Sequence, residues 1–110
     1  MKIFSVLIFL ISMVSIANSD FEKAEQLFQQ NKLVEAKSLF EKHLKVNPNH
    51  TKTVEYLGDI AGKNKNWDEA IVYYKKIKIQ YPLNADYHYK YGGVLGMKAK
   101  EINKFKALSL

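Results

Sequence analysis

Apolar side chains along this chain recur every three or four positions, the spacing of one face of a helix. Trp67, Ala70, Ile71, Tyr74, Ile77 and Tyr81 form one such series, and no stretch alternates apolar and polar residues as a half-buried strand would. Pro48 and Pro82 each follow such a run. Proline lacks the amide hydrogen and disfavours helical geometry in the residue before it, so both close helices. Ser19-Asp20-Phe21-Glu22 has the form of a capping box, and Asn31 and Asn64 to Asn66 supply turns. The pattern predicts an all-α fold with helices near 20–30, 33–46, 51–64, 67–80, 85–98 and 100–109.

The helical series also repeats. At an offset of 34 residues, Ala36 falls on Ala70, Phe40 on Tyr74, Pro48 on Pro82, and the turn NKLVEA at 31–36 on KNWDEA at 65–70. One period later, Val54, Leu57, Gly58 and Ala61 fall on His88, Tyr91, Gly92 and Leu95. Units near 17–50, 51–84 and 85–110 follow.

This pattern resembles the tetratricopeptide repeat (TPR), a helix-turn-helix unit with a Leu-Gly pair in helix A, an alanine and an aromatic in helix B, and a closing proline. The second unit carries Leu57-Gly58, Ala61, Ala70, Tyr74 and Pro82 in register. The first keeps Ala24, Leu27, Ala36, Phe40 and Pro48, with Asp20 and Lys23 at positions where the family is apolar, as a terminal cap would have. The third keeps Tyr91-Gly92 and Leu95, has Lys104 at the packing alanine, and has no closing proline. The resemblance covers about 90 residues and implies a right-handed superhelix of about two and a half repeats whose A helices line a concave groove. It places Phe21, Glu25, Phe28, Gln29, Lys52, Glu55, Asp59, Lys63, Asp86, Tyr89, Gly93 and Met97 along that groove. Phe21, Phe28 and Tyr89 are the aromatic anchors it offers a peptide, with interhelix packing the alternative for Phe21 and Phe28. Some members of the family clamp a C-terminal carboxylate with basic residues on successive A helices. Here Phe21 and Glu25 stand at the first-repeat positions of that clamp, and a glutamate repels such a ligand.

The third unit predicts a last short helix, carrying Ile102, Phe105 and Leu108, packed back on residues 85–98. Repeats bury apolar surface mainly against neighbours, so a two-and-a-half-repeat array predicts either a truncated chain or an end at Phe105 to Leu110 covered by a partner or a second copy.

The first nineteen residues have another character. Met1-Lys2 puts positive charge at the amino end, Ile3 to Ile16 is apolar apart from three serines, and Ala17-Asn18-Ser19 offers small residues to a signal peptidase. The run is short for a bilayer span, which takes roughly 20 residues. An exported protein, periplasmic or secreted, is predicted, with cleavage after Ser19 or after Ala17. Retention as a signal anchor would leave the same domain tethered to the membrane.

Charge and composition narrow the chemistry. The basic residues number 17 and all are lysine, giving a formal charge of +6 that is interleaved with acids from Lys23 to Lys106. Without the two-pronged guanidinium, and with no single basic stripe, nucleic acid is not the predicted partner. The Lys98, Lys100, Lys104 and Lys106 segment is the exception, and a peripheral contact with anionic membrane or cell-wall polymer is the alternative function it suggests.

Cysteine is absent, which excludes disulfides, thiolate metal sites and cysteine nucleophiles. His43, His50 and His88 have no ligand spacing, and no nucleophile elbow or phosphate loop is present, so neither a metal, a cofactor nor catalysis is predicted. Of the seven tyrosines, Tyr74 and Tyr91 fall on core positions, and Tyr87 and Tyr89 remain as surface contacts. His88 reads as a packing residue, and Gly92-Gly93-Val94-Leu95-Gly96 as a helical stretch whose small residues allow close helix approach. Asn49-His50-Thr51 fits a glycosylation acceptor, though Asn-Pro-Asn turns are common between repeats. The function predicted from all this is a non-enzymatic scaffold that binds a peptide or protein partner.

Overall fold

Two turns at the same point of the repeat show why this sequence folds as it does. At the end of the first helix Asn31 takes a left-handed backbone, φ 60°, and 34 residues later Lys65 does the same at φ 58°. Around them the hydrogen bonds repeat. Asn31 N donates to Phe28 O and Lys32 N to Leu27 O; Lys65 N donates to Gly62 O and Asn66 N to Ala61 O. This is the Schellman pattern, which ends a helix by feeding two amides back to its last carbonyls, and it requires one residue with positive φ. Such a residue costs L-amino acids about 1–2 kcal/mol, and asparagine adopts it more readily than most.

The computed structural model describes residues 19–109, the Ser19 side chain excepted. The segment read as an export signal and the capping-box role of the Ser19 hydroxyl lie outside the described residues. Among those described, five helices and no strand are present: α1 (Ser19–Gln29), α2 (Leu33–Val46), α3 (Thr51–Lys63), α4 (Trp67–Gln80) and α5 (Ala85–Leu108). The described residues divide into two units, 19–46 and 47–109.

In the first unit α1 packs against α2. Ala24, Ala36 and Phe40 are fully buried, and the Phe21 ring meets Phe40 edge-on at 5.8 Å between centroids. His43 also lies against Phe21, with ring centroids 5.4 Å apart. Lys42 reaches back to Asp20 at 3.2 Å, an exposed pair that contributes well under 1 kcal/mol.

In the second unit α3 packs on α4 and α4 on α5. Val54, Leu57, Ile60, Ala61, Ala70, Tyr74 and Ile77 form its core, with Thr53 buried among them. Each fully buried large aliphatic contributes roughly 1.5–3 kcal/mol. Gly58 is the tightest point. A Cβ there would lie 2.5 Å from the Tyr74 ring, so only glycine lets the aromatic of α4 cross α3 so closely. The loops are closed by local polar contacts. Asn66 Oδ1 accepts from Glu69 N at 3.4 Å to start α4, and Asn84 Oδ1 accepts from Tyr87 N at 3.2 Å to start α5. The carbonyl of each closing proline takes a side-chain donor, Lys76 Nζ on Pro48 at 3.0 Å and His88 Nε2 on Pro82 at 2.5 Å.

The expected break near residue 99 does not occur. Helix α5 runs without interruption for 24 residues from Ala85 to Leu108, where the pattern predicted two helices. Ala99 stands one period after Lys65 and two after Asn31, and alanine is the best helix former and a poor left-handed residue. Lys100 likewise replaces the Asn66 cap. Nothing in Met97-Lys98-Ala99-Lys100-Glu101 turns the chain, so helix B of the third unit is not folded back. Three further expectations fail for the same reason. Ile102, Phe105 and Leu108 do not pack on residues 85–98 and are exposed. His88 is exposed, its ring engaged with the Pro82 carbonyl. Gly92, Gly93 and Gly96 approach no other helix, since a Cβ added at any of them meets nothing within 4 Å.

Candidate functional site

Polar side chains of the second unit converge where α3, α4 and α5 face one another. Glu55 and Asp59 are four apart on α3, so they share a face, and two like charges there are unfavourable unless a cation neutralises them. Lys90 of α5 does this. Its Nζ lies 2.8 Å from Glu55 Oε2, 2.9 Å from Asp59 Oδ1 and 3.2 Å from Asp59 Oδ2. Lys52 adds a second, exposed contact to Glu55 at 3.6 Å. From beneath, the Tyr74 hydroxyl donates to Asp59 Oδ1 at 2.5 Å, and the Lys90 ammonium also sits 5.8 Å from the centre of the Tyr74 ring. The residue that fits against Gly58 therefore also anchors the charge cluster.

The electrostatics follow from this geometry. Burial raises the Tyr74 phenol far above its usual range, and the hydrogen bond to Asp59 and the charges of Asp59 and Glu55 push it further the same way. Burial by itself pulls the Lys90 ammonium down, but its hydrogen bonds to Glu55 and Asp59 and their charges outweigh that, so its pKa is raised overall. The Tyr87 phenol is raised by partial burial and by the Glu55 charge. All three stay protonated at neutral pH. Glu55, Asp59, Tyr74 and Lys90 form one connected set of donors and acceptors.

Beside the cluster lies an open cleft of about 440 Å³, lined by Tyr74, His88, Tyr89, Lys90, Gly92, Gly93 and Val94. Gly93 stands one period after Asp59, and the missing side chain leaves the space above the Tyr74 ring. Tyr89 is 82% exposed at the rim, a large amphipathic ring held on rigid helix with only two torsions to order.

The residues anticipated for a groove are placed as follows. In the first unit Phe21 is half-buried against Phe40, Glu25 and Phe28 are half-buried, and Gln29 is exposed. In the second unit Glu55 and Asp59 are brought together and neutralised by Lys90, and Lys52 joins them through Glu55. Lys63 and Asp86 are exposed, Tyr89 and Gly93 share the cleft, and Met97 lies farther along α5 beside Trp67, away from it. Tyr87, expected at the surface, is half-buried with its ring against Tyr81 at 6.1 Å, and Tyr91 carries Lys78 Nζ 4.6 Å above its ring. His50 Nδ1 and Thr53 Oγ1 share a hydrogen bond of 2.6 Å.

Lys90 is the functional residue that sequence reasoning missed. Its signal was present: two acids four apart on one helix call for a cation, and Lys90 lies 35 residues after Glu55 and 31 after Asp59, about one repeat on. No protein-family model matches the chain, and no curated protein does either.

Proposed function

We propose that the chain is an exported scaffold of TPR-like repeats that holds a peptide or protein segment on its A helices and carries out no chemistry of its own. The observation that carries this reading is the cleft beside Tyr89 and Gly93. A rigid helix displays an exposed aromatic next to a space that a partner side chain can fill, while the neighbouring charges are already satisfied and hold the walls in place. The repeated Schellman turns at Asn31 and Lys65 and the Gly58–Tyr74 contact support the repeat. Export rests on the Met1–Ser19 segment alone.

In this reading the partner places a bulky apolar or aromatic side chain over Tyr74, flanked by Tyr89, with its backbone polar groups toward Lys52 and Asp86. Glu55 and Asp59 act as positioning residues that fix Lys90 and Tyr74. The test is selection of binders from a random peptide library on the full chain, followed by titration against two variants. Tyr89→Ala removes the anchor and Gly93→Leu fills the cleft. Each is expected to weaken selected peptides at least tenfold, as loss of a central aromatic contact does, with the thermal melt unchanged. Peptides that bind both variants as tightly as the parent chain would remove the reading.

A further inference from the structure

Beyond Lys98, helix α5 passes the turn between α3 and α4, where Lys100, Glu101, Ile102 and Lys104 border clefts with Lys65 and Trp67, and its last turn runs on past them. Lys98 pairs with Asp68 in the first turn of α4, and every residue from Ala99 to Ser109 is exposed. The last ten residues of the helix form an arm about 15 Å long at 1.5 Å per residue. Three of its residues are large and apolar, Ile102 at 44%, Phe105 at 66% and Leu108 at 82% exposure.

Their placement around the helix is ordered. At 100° per residue, Ile102, Phe105 and Leu108 span an arc of about 120°. Lys106 lies roughly 40° beyond Ile102 on one side, and Lys104 roughly 40° beyond Leu108 on the other. Asn103, Lys100 and Ala107 complete the back. An apolar arc bordered on both sides by lysines, whose methylene stems can lie along the arc while the ammonium groups turn outward, is the arrangement of a helix lying in a bilayer interface. The one acid of the arm, Glu101, projects between Phe105 and Leu108, inside the same arc, but it lies in the arm's first turn, where it lines a cleft with Lys65, Trp67, Lys100 and Lys104. The turns beyond Glu101 present two lysines, Lys104 and Lys106, and no carboxylate. No described helix is long and apolar enough to cross a membrane, so contact through the arm is peripheral.

We propose that this arm is a membrane-surface element. Phe105, Ile102 and Leu108 enter the acyl boundary of an anionic bilayer, and Lys104 and Lys106, which border the arc, meet lipid phosphates. A second copy of the chain is the poorer occupant, because the arms would bring lysines together with one glutamate each to offset them. The arm is separate from the Tyr89 cleft, so the fate of one proposal leaves the other standing.

The chain contains no cysteine, which makes the test direct. Single cysteines are introduced into the full chain by Ile102→Cys on the arc, Asn103→Cys on the back of the arm, and Val72→Cys on α4. Each is labelled with a polarity-sensitive fluorophore and mixed with phosphatidylglycerol–phosphatidylcholine vesicles or with pure phosphatidylcholine. The Met1–Ser19 segment can hold the chain on either vesicle, so the readout is which label becomes apolar, not total binding. The expected result is a blue shift at Ile102→Cys on anionic vesicles only, none at Asn103→Cys or Val72→Cys, and reversal by salt. Neutralising Lys104 or Lys106 singly is expected to weaken the transition roughly fivefold. The proposal is overturned if the Ile102→Cys label stays in water on anionic vesicles, if it shifts equally on pure phosphatidylcholine, or if it shifts with protein concentration alone, which would show a second copy covering the arc.

Discussion

Helices α3 and α5 carry glycine at the same point of the repeat, and the two glycines have opposite surroundings. Gly58 is pressed against Tyr74, with no room for a Cβ, while Gly92 faces open space. The difference was decided elsewhere, at the residue seven positions on. Lys65 turns the chain with a left-handed backbone and sends α4 back across Gly58, whereas Ala99 keeps α5 running straight. One turn residue thus determines whether a packing surface is used inside the chain or left to the outside.

The sharpest way to break this comparison is to substitute the two glycines in parallel, beginning with the buried one. Gly58→Val sets branched carbon atoms where the Tyr74 ring lies, and the ring cannot retreat without leaving Asp59. A loss of about 3 kcal/mol is expected from overpacking and the broken hydrogen bond, measured by urea unfolding. A loss below about 0.5 kcal/mol would show that α3 and α4 tolerate separation and that the close crossing is incidental.

The next effect concerns Lys90, which joins α5 to α3. Lys90→Met keeps the stem and removes the charge, leaving Glu55 and Asp59 facing each other with only 15% and 23% of their side chains exposed. About 2 kcal/mol is expected, since hydrogen bonds to charged groups contribute about 1.5–3 kcal/mol each and part of the loss is recovered by solvation. A double variant that also carries Glu55→Gln should recover much of it, because the repulsion goes with the charge. Failure of that recovery would mean Lys90 matters through its stem and not its ammonium.

How much of this was legible beforehand depends on how local the cause was. Helix boundaries for α1 to α4 followed from periodicity and the breakers between them, while the burial of Ala24, Ala36, Ala70 and Tyr74 and the special place of Gly58 were what the resemblance to the tetratricopeptide repeat implied. Asn31 and Asn64 to Asn66 were seen as turn formers, yet the left-handed residue of the second turn is Lys65, whose composition gives no hint of it. The third unit misled because register was carried past the point where turn chemistry ended. Leu95 and His88 align with buried Ala61 and Val54 but remain exposed, since no helix returns to cover them. Lys90 escaped notice because Tyr56, one period earlier, is not charged, so the repeat itself hid the pairing.

A smaller effect, and one with a defined pH range, comes from Tyr74. Its phenol is held protonated in the folded chain by burial and by its bond to Asp59, so its folded pKa lies above the unfolded value of about 10. The folded state then binds the proton more tightly than the unfolded state. Its contribution is fully present below pH 10 and falls as pH rises beyond it. Lys90, also raised, acts in the same direction. Tyr74→Phe should cost about 1 kcal/mol at neutral pH, from the lost hydrogen bond, and should flatten the decline in stability above pH 10. If the alkaline decline of the parent chain persists undiminished in Tyr74→Phe, the burial of the proton is not what causes it.

The smallest change has the opposite sign and returns to the open glycine. Gly92 lies inside α5, where it carries the full backbone entropy of a helical glycine, and a Cβ there would touch nothing within 4 Å. Gly92→Ala should therefore stabilise the chain by about 0.5–1 kcal/mol, where the same added methyl at Gly58 destabilises. Two residues in identical register would then respond in opposite directions, and the sign depends only on whether a helix lies across from them. Urea unfolding of Gly92→Ala measures it directly. A destabilised Gly92→Ala would mean that something packs against that face in solution, and repeating the measurement across protein concentrations would show whether the packing comes from another copy of the chain.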